Sequence, residues 1–164
     1  MFKPFVTRLA LARPALSRTV LRAPLLRTSF ATPRFYSAMS FKAVNAPTLS
    51  AAGPYSHATV ANGMVYCSGQ IPFRDGKLVG ATAAEQAQQA LENLQEVLEA
   101  AGSDKSKIVK VNIFLGDMAD FASVNEVYAK FLPDPKPARS CVAVKTLPLA
   151  DKGNKIEIEC IAVA

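Results

Sequence analysis

Arg139 is the first residue that demands a chemical explanation. It stands in KPARSCVAV (136–144), at the entrance of an apolar run that reads as a buried strand, on the same alternate face as Cys141 and Ala143. A guanidinium taken out of water is costly unless an anion meets it. The acids of IEIEC (156–160) are one possible source: Glu157 and Glu159 share a face of a second apolar run with Ile161, while Ile156, Ile158 and Cys160 share the other. Two readings are open. Arg139 and a glutamate can form a cross-strand ion pair that merely satisfies itself. Alternatively, Arg139 forks onto the carboxylate of a substrate while Glu157 handles a water molecule or a proton.

Other chemistries lack their residues. The chain carries no Gly-rich phosphate loop with its lysine, no metal-ligating histidine cluster and no nucleophile elbow. SGQIP (68–72) is not a dinucleotide fingerprint. His57 is the only histidine, so a Cys–His or Ser–His dyad has to use it, yet GPYSHATV (53–60) is turn-like and offers no partner spacing. Cys67, Cys141 and Cys160 are odd in number, sit in apolar strand-like runs and lack ligand spacing, which argues against a disulfide framework or a zinc site. Buried reduced thiols are the expectation for Cys67 and Cys160. Any activity is expected to need neither metal nor cofactor.

The elements that must position these residues are written in two periods. Asn62-Gly63, between HATVA and MVYCSG, is a strong hairpin signal, and RDGK (74–77) is a second turn. ATAAEQAQQALENLQEVLEAAGS (81–103) then places Ala87, Leu91, Leu94, Leu98 and Ala101 on one helical face, with polar residues on the other side. Thr82 and Glu85 have capping-box spacing, and Gly102 is a good stop. KIVKVNIFLG (107–116) reads as a buried strand. DFASVNEVYAKFLP (120–133) repeats the helical period through Phe121, Val124, Tyr128 and Phe131. ARSCVAVKTL and KIEIECIAVA, joined by PLADKGN (148–154), suggest an antiparallel hairpin of neighbouring strands.

Both helices must bury one stripe, so the class is α+β, with two helices on one face of a mixed sheet. The other sheet face would carry some of Val142, Val144, Ile161 and Val163 uncovered. Oligomerisation through that face is therefore expected.

The net charge of +6 misleads. Seven of the 19 basic residues lie in residues 1–40 with no acid beside them, which leaves 12 against all 13 acids in the rest of the chain. Basicity thus gives no argument for nucleic acid. Residues 1–36 read instead as a mitochondrial transit peptide: Arg-rich, acid-free, with RFYSA (34–38) as a processing motif and a 37–164 domain after it. No apolar run approaches a membrane span.

GPYS, SGQIP, DFASVN, PARSC and IEIE together resemble the Rid family of reactive-intermediate deaminases, also known as L-PSP, over about Phe41 to the C-terminus. PAR followed at an interval by IEI is close to a family signature, though the interval from Leu147 to Ile156 is long for the family. The presequence points to the fungal matrix branch. The resemblance implies a chorismate-mutase-like (bacillary type) α+β fold, assembled as a homotrimer with clefts between subunits. It also implies hydrolysis of 2-imino acids such as 2-iminobutanoate and 2-iminopropanoate to 2-oxo acids and ammonia, protecting pyridoxal-phosphate enzymes and supporting isoleucine biosynthesis. On the matching positions, Arg139 binds the substrate carboxylate and Glu157 positions or activates water. Tyr55, Ser68 and Asn125 line the cleft, and Cys141 lies in its wall. From the residues alone, Tyr55 can equally close a Gly-Pro turn, Asn125 can be a plain helix polar residue, and Ser68 can satisfy a local backbone group. A non-catalytic ligand-sensing module and an endoribonuclease are the competing functions.

Overall fold

In the computed structural model, which describes residues 40–164, local signals dominate the first half of the chain. Strand β1 (Lys42–Val44) pairs antiparallel with β2 (Ala58–Ala61), and β2 with β3 (Met64–Gln70). Asn62 and Gly63 have φ of 51° and 74°, the positive pair that a tight primed hairpin turn requires. The second turn, at Asp75-Gly76, joins two short strands, β4 (Phe73–Arg74) and β5 (Lys77–Leu78), into a separate ribbon. The reading of residues 1–36 as a transit peptide, with a start at Ser37, lies outside the described residues.

Helix α1 (Ala83–Ala100) begins with the expected capping box: the Thr82 hydroxyl accepts from the Glu85 N–H, and the Glu85 carboxylate reaches back to the Thr82 N–H. Its stripe of Ala87, Leu91, Leu94 and Leu98 is buried. Strand β6 (Ile108–Leu115) follows, then α2 (Phe121–Phe131), then β7 (Ala138–Ala143). In α2 only Val124 and Tyr128 are buried outright, while Phe121 and Phe131 are half-buried at its ends.

The last strand, β8 (Ile156–Val163), corrects one expectation. It does not form a hairpin with β7. The sheet order is β1-β2-β3-β8-β6-β7, so β6 lies between them. β6 pairs parallel with β7 and antiparallel with β8. The link 144–155 straddles the end of β6, where the Val144 N–H donates to Leu115 O and the Gly116 N–H to Lys155 O. Burial explains the choice. Ile156, Ile158, Cys160 and Ala162 are all buried, and so apolar a row belongs in the middle of a sheet rather than beside the edge.

The result is α+β, with two helices packed on one face of a mixed six-stranded sheet. No described element covers the other face. Tyr66, Val142 and Val163 on it are each 44–48% exposed.

Candidate functional site

The carboxylate half of the site is built by a bulge. Cys67 pairs with Cys160 and Gln70 with Ile158, so β3 spends one residue more than β8 over this interval. The extra residue lets Ser68 and Gly69 swing toward Glu157. A Cβ on Gly69 would stand 1.9 Å from Glu157 Oε1, so the missing side chain is the space that the carboxylate occupies. Burial, with Glu159 adding like-charge repulsion, pushes the Glu157 carboxyl above the ordinary glutamate range. Gly69→Ala is therefore expected to displace the Glu157 carboxylate from its place in the cleft, visible in a crystal structure of the variant, with the far-ultraviolet circular dichroism spectrum unchanged.

Tyr55, Ser68, Gly69 and Glu157 line one cleft of about 830 Å³, whose walls are completed by Ile71, Leu149 and Lys152. Its size suits a small-molecule site. Ser68 does what the bland reading allowed as well: its hydroxyl donates to Ser56 O at 2.7 Å and its N–H to His57 O at 2.9 Å. Tyr55 is 47% exposed and accepts a hydrogen bond from the Ala52 N–H at 3.3 Å. His57 is buried and structural. Its Nδ1 accepts from the Ala46 N–H at 3.1 Å, and its own N–H donates to Asn45 Oδ1 at 3.0 Å.

The guanidinium half lies elsewhere. Cys160, Val111 and Arg139 form one cross-strand row on the helix-covered face, whereas Glu157, Phe114 and Val142 form a row on the bare face. Arg139 and Glu157 of one chain are thus on opposite sides of the sheet, which rules out the self-satisfying cross-strand pair. Arg139 Nη1 donates instead to Asn125 Oδ1 at 2.7 Å, and the guanidinium sits over the Tyr128 ring at 4.6 Å and Phe121 at 5.7 Å. Asn125 is therefore more than a helix polar residue: it holds the arginine. Cys141 is half-buried beside this group. Burial pushes its thiol up, and Arg139 opposes that. Cys67 and Cys160 are free and buried, and their mutual contact, with burial, pushes the Cys160 thiol up.

Among the described residues the ion pairs are Arg74–Glu96 at 2.6 Å and Lys136–Asp134 at 3.5 Å. Arg139 has no carboxylate partner among the described residues. The six sequence candidates fall into two groups, Tyr55, Ser68 and Glu157 in one and Arg139, Asn125 and Cys141 in the other, and one chain does not bring the groups together.

Two supporting residues escaped the sequence reading because they sit among the polar positions of α1. Gln86 is buried, donates to Gly80 O and Gly153 O, and accepts from the Lys155 N–H. Asn93 is buried and donates to Ile71 O and Phe73 O. Together they tie the cleft's two walls to the helix. The only legible signal was amide side chains flanking the apolar stripe. Among the described residues no group of three or more His, Cys, Asp or Glu could hold a metal ion, and no helix is long and apolar enough to cross a membrane.

Known proteins resemble this chain in sequence and in fold. A family profile described as endoribonuclease L-PSP matches residues 45–164. The protein mmf1, mitochondrial, of Schizosaccharomyces pombe is 57% identical over 166 residues, covering 99% of this chain and 99% of that protein. The human 2-iminobutanoate/2-iminopropanoate deaminase is 44% identical over 115 residues, covering 69% of this chain and 82% of its own. Among solved structures, that of E. coli TdcF with bound serine has a TM-score of 0.67 at 38% identity, over 75% of this chain and 98% of that one.

Proposed function

This chain belongs to the endoribonuclease L-PSP (Rid) family, and on that premise we propose that it hydrolyses 2-imino acids, or their enamine tautomers, to 2-oxo acids and ammonia. One observation carries the reading. Arg139 is a half-buried guanidinium with no carboxylate partner among the described residues, held only by an amide oxygen and two aromatic rings. Such a group is an anion site waiting for its anion from outside the chain. The human relative is named for 2-imino acids and the TdcF structure holds serine, and both kinds of compound carry a carboxylate.

The chemistry suits the residues. A protonated imine carbon is already electrophilic. Arg139 grips the substrate carboxylate and so fixes that carbon beside a water molecule. Glu157 accepts a proton as the water oxygen bonds to carbon, giving a carbinolamine. The same proton passes to the amine; as the C–N bond breaks and ammonia leaves, the hydroxyl gives its proton to the Glu157 carboxylate and the carbonyl forms. Tyr55, Ser68 and Cys141 then serve as walls of the cleft.

Arg139 and Glu157 are on opposite sheet faces, so a working site needs Arg139 from one protomer and Glu157 from its neighbour. The bare face, with Tyr66, Val142 and Val163 exposed, is the surface that would bring copies together as a homotrimer. The relative named as mitochondrial supports action in mitochondria; in the matrix, imines released by pyridoxal-phosphate enzymes, including those of isoleucine synthesis, would be the substrates.

Ammonia release from freshly generated 2-iminobutanoate, with and without the protein, is the direct test. No acceleration over the uncatalysed rate sinks the proposal and leaves a non-catalytic binding role. Cleavage of RNA with a steep salt dependence would favour the activity in the family's description, although the 12 basic and 13 acidic residues after position 40 lack that footprint. Sharing of sites has its own test. Arg139→Ala and Glu157→Gln chains, each inactive alone, should recover up to about a quarter of full activity when randomly co-assembled in threefold rings. Absence of recovery in verified mixed oligomers defeats the shared site.

A further inference from the structure

Helix α2 turns three residues toward Arg139, and their spacing is that of one helical face: Phe121, Asn125 and Tyr128. Tyr128 is the unusual one. It is 5% exposed, yet its hydroxyl has no hydrogen-bond partner among the described residues. A buried, orphaned hydroxyl is a cost that phenylalanine would avoid. The ring face, by contrast, is in use: the guanidinium carbon lies 4.6 Å from its centroid, and 5.7 Å from that of Phe121. Both distances fall in the range where a ring attracts a cation.

We propose that Tyr128 and Phe121 form an aromatic shelf that positions the Arg139 fork for its ligand, with Asn125 pinning one end. The inference rests on Arg139 being the carboxylate anchor. Arg139 stands on β7, the edge strand, where a long side chain has room to wander. Its conformational freedom would otherwise be lost at the moment of binding. Here the shelf and the amide restrict it beforehand. With Nη1 committed to Asn125, the remaining N–H groups are left for a planar carboxylate. The shelf touches arginine, not substrate, so Tyr128 and Phe121 are positioning residues.

Such a role predicts a particular kinetic signature. Tyr128→Leu should raise KM for 2-iminobutanoate and weaken binding of 2-oxobutanoate by about 10-fold each, while kcat changes far less. Tyr128→Phe, which keeps the ring and removes the orphaned hydroxyl, should restore both constants. Phe121→Leu, at the half-buried start of the helix, should shift KM in the same direction by roughly 3-fold, and decides the matter if the Tyr128 variant does not fold. Native circular dichroism and oligomeric size are checked for each. A folded Tyr128→Leu protein with unchanged KM and 2-oxobutanoate affinity overturns the shelf, as does a loss confined to kcat. Arg139→Ala is the companion measurement. If it binds 2-oxobutanoate as tightly as the unaltered protein, the anchor itself is wrong and the shelf falls with it. If it loses binding while the aromatic variants do not, only the shelf falls.

Discussion

Arg139→Lys is expected to lower kcat/KM for 2-iminobutanoate by about 10²-fold or more, although the charge is kept. The prediction follows from how the guanidinium is used. One N–H is committed to Asn125 Oδ1 at 2.7 Å, which leaves a planar fork for the ligand. An ammonium is a point charge. It has no second donor at fixed geometry, and no flat face to lie over the Tyr128 ring. A lysine can still attract a carboxylate, so some binding survives. In the proposed shared site, what it loses is the alignment of the imine carbon with the water beside the neighbouring protomer's Glu157, and small misplacements at a reacting atom are costly. The assay is ammonia release from freshly generated imine, corrected for the uncatalysed rate, because the substrate decays by itself. A lysine variant with near-normal turnover would mean that charge alone suffices and that the fork has no role.

The parts of this molecule that were legible in its sequence are those whose cause is local. Asn62-Gly63 announced a hairpin because two adjacent positive φ values demand such residues. Thr82 and Glu85 announced a helix start because the capping box closes within one turn. The pairing of β7 failed for the opposite reason. Which strand lies beside β7 is decided by β6, more than twenty residues earlier, and by the need of β8 for a neighbour on each side. The site shows the same limit. Alternation along β7 and along β8 is legible, with Glu157 and Glu159 on one face and Ile156, Ile158 and Cys160 on the other. The phase between the two strands was not readable, so nothing in the sequence told that Arg139 and Glu157 point to opposite sides of the sheet. Gln86 and Asn93 are not legible, because an amide on a helix looks the same whether it meets water or a loop carbonyl. Only the folded chain reveals that they hold the cleft's walls.

Glu157→Gln is expected to reduce kcat by about 10²–10⁴-fold, the usual contribution of one general acid or base. The same substitution should make the fold more stable at neutral pH, and the pairing of these two effects is the sharper test. Burial and the charge of Glu159 raise the pKa of the Glu157 carboxyl in the folded chain above its unfolded value. Below the unfolded value both states hold the proton, and the group does not weigh against the fold. As pH rises through the raised folded value, the carboxylate is forced into a site that disfavours it, and stability is lost. Glutamine has the same shape and no charge, so the variant escapes this penalty. Its melting temperature should exceed that of the unaltered protein at pH 7, with the difference vanishing at roughly pH 4. Turnover should follow the carboxylate in the other direction. The unaltered protein loses rate on the acid side as Glu157 takes up a proton, at a pH above the ordinary glutamate range. Glu159→Gln should move that limb to lower pH by removing the neighbouring charge. A Glu157→Gln protein that is more stable yet fully active would show that the carboxylate is merely tolerated beside Gly69, and the water would then need another base. A variant that is inactive and more stable is what a residue kept for chemistry, at the expense of the fold, should produce.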